Sequence, residues 1–193
     1  MYLRQLVNDF MFQIFGFLCT QDPAHTWAPG GDLLPVCQRC TGLYVGAAFA
    51  LVLLLRFRPL TDARYRWLHA IFLLIMTPFG FHLVPHGAVL RTTSGYWFGF
   101  GVVGLLWLLP EARISDGTGR MASSLKPYLL MGAAGTLLLP FIAIWGGAIA
   151  SLTLSWLAVA GMAAIAGLLA GNVALFGSSI LAWLRRSAMS AIS

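Results

Sequence analysis

The sequence predicts an all-α polytopic membrane protein, a helix bundle of about five transmembrane helices preceded by an N-terminal interfacial amphipathic helix. Of the 193 residues, 59% are apolar and 9% carry a formal charge, whereas roughly a quarter are charged in an ordinary soluble domain. Residues 127–184 contain no Asp, Glu, Lys, Arg or His. Because one membrane span needs about 20 residues, this stretch alone must cross the bilayer twice.

The first predicted element is an amphipathic helix over residues 1–18. The alternative is a short sixth span, against which Asp9 and the limited apolar length count. Its apolar side chains fall on one helical face and its polar side chains on the other. The apolar face consists of Leu3, Leu6, Val7, Phe10, Ile14, Phe17 and Leu18, and the polar face of Arg4, Gln5, Asn8, Asp9 and Gln13. Such a helix is expected to lie in the membrane interface.

Five charge-poor segments predict the spans, at about residues 41–57, 67–84, 94–109, 128–149 and 152–184. Pro78 is expected to kink or end the second span, and the turn between the last two is expected near Gly146-Gly147 or Ser151. Residues 1–193 then form a single integral membrane domain. Residues 1–40 hold the N-terminal helix and a Cys/His segment, residues 41–184 the spans, and residues 185–193 a cytoplasmic tail.

The basic residues predict the orientation, because Lys and Arg are retained in short cytoplasmic loops. One set of loops holds nine of them, and the other holds Arg4, Arg39 and Arg91. The N-terminus is therefore expected outside and the C-terminus in the cytoplasm of a bacterial or archaeal cell membrane. The net charge of +6 is mostly explained by topology, so the expected partner is the lipid bilayer and not nucleic acid.

All three cysteines precede the first span, at Cys19, Cys37 and Cys40. Two residues between Cys37 and Cys40 allow both sulfurs to turn toward one point, either a tetrahedral metal ion or each other. With His25, the segment offers three sulfurs and an imidazole, a donor set that suits zinc, cuprous copper or iron. The predicted metal ligands are therefore Cys19, His25, Cys37 and Cys40, with zinc favoured and copper next.

The predicted topology places further candidates on the same membrane face. His82, His86 and Arg91 lie between the second and third spans. Two histidines four residues apart share one face of a helix and could chelate one ion, although Pro85 opposes helical geometry at the residue before it. The default interpretation of Arg91 is a contact with a phosphate or lipid headgroup.

The residues alone leave three chemistries open for the cysteines, namely a structural disulfide, a metal site and redox catalysis. An odd number of cysteines favours a metal site over a full set of disulfides. The main alternative is a quinone-linked membrane thiol-disulfide oxidoreductase that uses Cys37 and Cys40, with Cys19 as the resolving thiol. Arg39, which lies between the two, would assist such chemistry by lowering the pKa of a thiol.

The segment from Leu34 to Gly46, with the sequence LPVCQRCTGLYVG, resembles a family of small predicted bacterial and archaeal membrane proteins catalogued as domain of unknown function 2085. The motif of that family is Cys-x-Arg-Cys-x-Gly-x-Tyr-x-Gly. Upstream, Thr20 stands where the family has His. The resemblance covers roughly residues 15–105 and implies an integral membrane protein with a cysteine cluster.

Together these observations predict a non-enzymatic integral membrane protein whose extracytoplasmic Cys/His cluster binds a metal. Its spans are rich in glycine and aromatic residues, and the last two contain no Asp, Glu, Lys, Arg or His. Such spans favour contacts between helices over a transport path. An accessory subunit of a larger membrane complex, in contact with other membrane protein subunits, is the role that this composition favours.

Overall fold

The computed structural model of the chain describes residues 2–81, 83–112 and 124–190. Within these ranges the chain folds into helices and forms no β-strand, which confirms the predicted all-α helix bundle. The long helices are α1 Tyr2–Gly16, α2 Gln38–Phe57, α3 Ala63–Gly80, α4 Ala88–Leu106, α5 Leu125–Trp145 and α6 Gly147–Ser190. Two short 3-10 helices, Pro23–His25 and Pro29–Gly31, lie in the loop between α1 and α2.

Four helical segments are long and apolar enough to cross a membrane, by length and composition. They are Gln38–Phe57, Ala88–Ala112, Leu125–Trp145 and Gly147–Ala182. The second predicted span corresponds to α3, which is not among these four. It is 18 residues long, and Arg64 and Arg66 lie in its first turn, so that its mean hydropathy is lower than that of the others.

The helices end close to the helix-breaking residues that the sequence predicts. Pro78 lies inside α3, which ends two residues later at Gly80. The helices α5 and α6 meet at Gly146-Gly147, where Gly147 adopts a positive φ of 61°. The final helix has 44 residues, which at about 1.5 Å per residue makes it roughly twice as long as a bilayer core is thick.

The helices α2 and α4 are parallel and pack with their backbones in contact. Four glycines lie so close to a carbonyl of the opposite helix that a methyl group would overlap it: Gly42 at Thr92, Gly46 at Tyr96, Gly95 at Arg39 and Gly99 at Leu43. Glycine pairs four residues apart allow this approach where lipid provides no hydrophobic drive. Since both helices run in the same direction, their N-termini lie at the same end of the bundle.

The N-terminal helix packs on this bundle through a face other than the predicted apolar one. Met11 and Phe15 are buried, and the ring centroid of Phe15 lies 5.4 Å from that of Tyr44 in α2. Phe10 and Phe17, on the predicted face, are exposed. Packing against protein therefore uses the Met11–Phe15 side and leaves Phe10, Phe17 and Leu18 of the predicted face exposed, as a helix in the membrane interface requires. The interfacial position itself stays a prediction.

A buried polar cluster joins α3, α4 and α5 at the opposite end. Nδ1 of His69 lies 2.8 Å from the backbone carbonyl of Tyr65, and Nε2 lies 2.9 Å from the hydroxyl of Tyr128. Because a carbonyl only accepts, Nδ1 carries the proton and the Tyr128 hydroxyl donates to Nε2. The hydroxyl of Tyr65 in turn donates to the carbonyl of Gly104 at 3.0 Å. Every polar atom of the His69 ring is therefore satisfied.

Candidate metal centre

Three sulfur atoms converge where α1, the following loop and α2 meet. The Sγ atoms of Cys19, Cys37 and Cys40 all lie within 4.8 Å of one another, and all three cysteines are free thiols. Four ligands at about 2.3 Å around a tetrahedral ion would stand about 3.8 Å apart. The three cysteines are therefore close enough to hold one metal ion after a small adjustment of their side chains.

The start of α2 positions two of these sulfurs. Cys37 is the N-cap residue, with extended backbone angles, and Cys40 lies in the first turn. Its position at the cap leaves the Cys37 N–H outside the helical hydrogen-bond ladder, and this N–H donates to Sγ of Cys19 at 3.2 Å. The helix terminus thus supplies two thiols and one N–H donor to the same point.

The third sulfur is held by a loop that Gln21 fixes in place. Gln21 adopts a left-handed φ of 52°, and its Nε2 donates to the carbonyls of Phe12 at 2.8 Å and Pro35 at 2.9 Å. These two bonds tie the C-terminal half of α1 to the segment that precedes Cys37. Cys19, which is buried, lies between α1 and Gln21 in the chain, in the segment that these bonds attach.

Two further contacts anchor the loop to the bundle. Nε1 of Trp27 donates to Oγ1 of Thr92 in α4 at 2.8 Å. Gly30 has a φ of 69° and lies against the backbone of Ala148 at the start of α6, where a Cβ atom would not fit. The cysteine-bearing loop is therefore attached to α4 and α6 by these contacts.

The pKa values of the Cys19 and Cys37 thiols are shifted in opposite directions. Hydrogen bonds from the thiols of Cys37 and Cys40 to Sγ of Cys19 lower the pKa of Cys19 well below its usual range. The pKa of Cys37 is raised, chiefly because its thiol donates to Cys19. The thiolate form, which is the form that binds metals, is therefore favoured first at Cys19.

His25 lies beside the three sulfurs but is not one of the close group. It lines the same pocket, which has a volume of about 360 Å³ and is also lined by Leu18, Cys19, Thr20, Asp22, Cys37, Arg39, Cys40 and Arg91. Nδ1 of His25 lies 2.7 Å from Oδ2 of Asp22, so Nε2 is the ring nitrogen that remains to bind a metal. Histidines that bind metals commonly hold a carboxylate with their second nitrogen in this way.

The remaining predicted residues are distributed around this pocket. Arg91 lines it, whereas His86 is half-buried with Nδ1 2.7 Å from the Val84 carbonyl and its ring edge-on to Phe79. His86 is not part of the close sulfur group, and His82 lies outside the described residues. The structure therefore brings together three of the four predicted ligands and places His25 at their pocket.

Sequence reasoning missed two residues that organise this site. Asp22 precedes His25 by three residues, a spacing that could have indicated the pair. Gln21 carried no such signal, because glutamine is not among the residues typical of positive φ, and its two acceptors lie nine and fourteen residues away.

Comparison with known proteins agrees with this description. A 33-residue stretch is 46% identical to an "uncharacterized protein" of Methanothermobacter thermautotrophicus, over 17% of this chain and 30% of that protein. No solved structure matches. Residues 19–105, which contain the cysteines, His25, Arg39 and Arg91, match the sequence model of the family described as "Predicted membrane protein (DUF2085)", which confirms the family resemblance that the cysteine motif indicates.

Proposed function

We propose that this protein is a non-enzymatic membrane protein whose Cys19, Cys37 and Cys40 bind one metal ion, with zinc favoured and copper next. The observation that carries the proposal is the approach of all three sulfurs to within 4.8 Å of one another. Thiolates are soft ligands that suit zinc and cuprous copper. The proposed location of the metal site is the extracytoplasmic side of the membrane, as the distribution of basic residues predicts.

His25 is the proposed fourth ligand, through Nε2. Its Nδ1 is paired with the Asp22 carboxylate at 2.7 Å, which fixes the tautomer that leaves a lone pair on Nε2. Half of its side chain is exposed, so the ring has room to turn into the pocket that it already lines. A closed set of four protein ligands is typical of structural zinc sites.

The role that we propose for the metal is structural. Its ligands come from the end of α1 and the start of α2, so binding would attach the N-terminal helix to the bundle, and the binding energy would add to the stability of the fold. A fixed N-terminal helix on the outer face suits an accessory subunit of a larger membrane complex, and the exposed apolar side chains of α5 and α6 leave surface for neighbouring subunits.

The experiment that tests the metal site counts metal and thiols together. Protein is purified in detergent under reducing, oxygen-free conditions, and zinc and copper are measured by elemental analysis. The chain has 3 cysteines, all in the cluster. We expect one metal per chain and thiols that react with a thiol reagent only after a chelator is added. A metal content near zero with freely reacting thiols would overturn the proposal.

A comparison of histidine variants tests the fourth ligand. His25→Ala is expected to weaken metal binding by roughly 10- to 100-fold, and Asp22→Asn to weaken it less, because it removes only the orienting carboxylate. His86→Ala is the matched control, since it removes an imidazole from a neighbouring loop. A loss of metal in His86→Ala, with His25→Ala unchanged, would move the fourth ligand to the loop between α3 and α4.

A second candidate function is the quinone-linked thiol-disulfide oxidoreductase. The approach of three free thiols to within 4.8 Å of one another favours it, because a thiolate at Cys19, whose pKa is lowered, could attack a disulfide between Cys37 and Cys40 as the resolving thiol. The same experiment separates the two functions. If a Cys37–Cys40 disulfide forms on addition of a quinone and returns to two thiols with a dithiol, while no metal is present, the oxidoreductase replaces the metal site.

A further inference from the structure

The pocket beside the thiol cluster contains two guanidinium groups, those of Arg39 and Arg91. In the described part of the chain neither forms an ion pair with a carboxylate. Nη2 of Arg39 donates to the Phe79 carbonyl at 3.0 Å, and its buried Nε has no hydrogen-bond partner among the residues that the structure describes. A guanidinium has no lone pair with which to bind a metal. The two arginines would therefore serve a different ligand in the same pocket.

The packing of α2 against α4 brings these two arginines together. The carbonyl of Arg39 lies against Gly95, and Gly42 lies against the carbonyl of Thr92, the residue that follows Arg91. Arg39 and Arg91 both belong to the first turn of a helix, and the two helices are parallel. Neither N-cap residue, Cys37 or Gly87, caps its helix with a side chain. The partial positive charges of both helix ends therefore add to those of the guanidiniums.

Apart from the sulfurs of the cluster, of which Cys19 favours the thiolate form, the pocket has little negative charge to balance this. Its lining contains one carboxylate, that of Asp22. Both oxygens of Asp22 are already engaged, Oδ2 with His25 and Oδ1 with the N–H of Ala24 at 3.0 Å. A pocket with two guanidiniums and one engaged carboxylate is complementary to an anion with several acceptor oxygens.

We propose that this pocket binds a phosphate group between Arg39 and Arg91. A guanidinium presents a planar fork of donors that matches phosphate oxygens, and two such forks from adjacent helix ends enclose one phosphate. The same chemistry is provided by a phospholipid headgroup and by free phosphate. Leu18, which is 59% exposed, lines the pocket, and Phe17 beside it is 91% exposed, so an acyl chain would find an apolar surface next to the phosphate.

The test uses purified protein in a neutral detergent and three probes: dihexanoyl phosphatidylglycerol, dihexanoylglycerol, which lacks the phosphate, and inorganic phosphate. Binding is measured by titration calorimetry with metal-loaded and with chelated protein. We expect phosphatidylglycerol to bind in both states and Arg91→Gln to weaken it at least about tenfold, the value of a lost charged hydrogen bond. Arg91→Lys is expected to retain part of the affinity.

The control is Arg64→Gln, which removes the same charge from an exposed position at the far end of the bundle. It is expected to leave binding unchanged. Binding of inorganic phosphate that depends on Arg91 supports a site for free phosphate, and binding of phosphatidylglycerol alone supports a lipid site. Equal binding of dihexanoylglycerol, indifference to Arg91→Gln, or binding only in the presence of metal would overturn the proposal. Because chelated protein is tested, failure of the metal site is seen separately.

Discussion

The two ends of the bundle contain polar clusters of opposite character. At one end, His69 is 0% exposed and both of its ring nitrogens are hydrogen-bonded, to a carbonyl and to the Tyr128 hydroxyl. At the other end, three free sulfurs converge beside a pocket lined by two arginines, neither of which forms an ion pair with a carboxylate in the described part of the chain. A buried polar group whose hydrogen bonds are complete has no capacity left for a ligand. The difference supports the proposal that the cysteine end binds ligands, whereas the histidine end is proposed to stabilise the fold.

The local backbone differs in the same way. The histidine cluster is built on regular helices, α3, α4 and α5, whose aromatic rings stack on one another, with Phe100 stacked on His69 at 6.0 Å. The cysteine cluster depends on a loop with a left-handed glutamine and two 3-10 turns. Irregular backbone held by side-chain hydrogen bonds can bring ligands from distant positions to one point, and binding residues are concentrated on such loops.

The largest effect is expected for Cys37→Ser at the cysteine end. The variant should lose stoichiometric metal, falling from one ion per chain to less than about a tenth, because two sulfurs and one imidazole leave a structural zinc site incomplete. Serine is a favourable N-cap residue, so α2 should still begin at the same position. Elemental analysis of purified protein provides the measurement, with His69→Ala as a variant that should retain its metal. Full metal content in Cys37→Ser would contradict the assignment of the site.

Most of the bundle and part of the site could be predicted from the sequence. The apolar segments, the glycine pairs and the Gly146-Gly147 turn depend on local patterns, so they are readable from a single sequence. The closeness of the Cys37 and Cys40 sulfurs is also a local feature, because both residues lie at the start of one helix. The His69–Tyr128 hydrogen bond joins residues 59 positions apart and depends on how α3 packs on α5, which no local pattern encodes.

His69→Ala is expected to cost about 3 kcal/mol of unfolding free energy. The substitution removes a fully buried ring that fills space beside Gly104 and leaves the Tyr128 hydroxyl without its acceptor. Cavity formation and lost hydrogen bonds both contribute to this cost. Unfolding of the detergent-solubilised protein by denaturant measures it. Metal content should stay at one ion per folded chain, and its loss would show that the two ends are coupled.

Gln21→Ala is expected to weaken metal binding about tenfold, which corresponds to about 1.4 kcal/mol. The Gln21 amide positions the loop and does not bind the metal. Its loss should therefore resemble the loss of a hydrogen bond that orients a metal ligand. Competition with a chromophoric chelator measures the affinity. The matched control is Gln13→Ala, which removes an exposed amide from α1. Equal affinities for the two variants would mean that Cys19 is held by other contacts.

Tyr128→Phe should have the smallest effect, about 1 kcal/mol of unfolding free energy. The ring and its packing against Phe100, at 5.0 Å between centroids, are retained, and the hydroxyl that donates to His69 is lost, so Nε2 is left buried without a donor. The matched control is Tyr96→Phe, because the buried Tyr96 hydroxyl has no hydrogen-bond partner in the described part of the chain. Removal of that hydroxyl should be neutral or stabilising. If both variants lose the same stability, the hydroxyl of Tyr128 has no particular role, and the histidine end is held by aromatic packing alone.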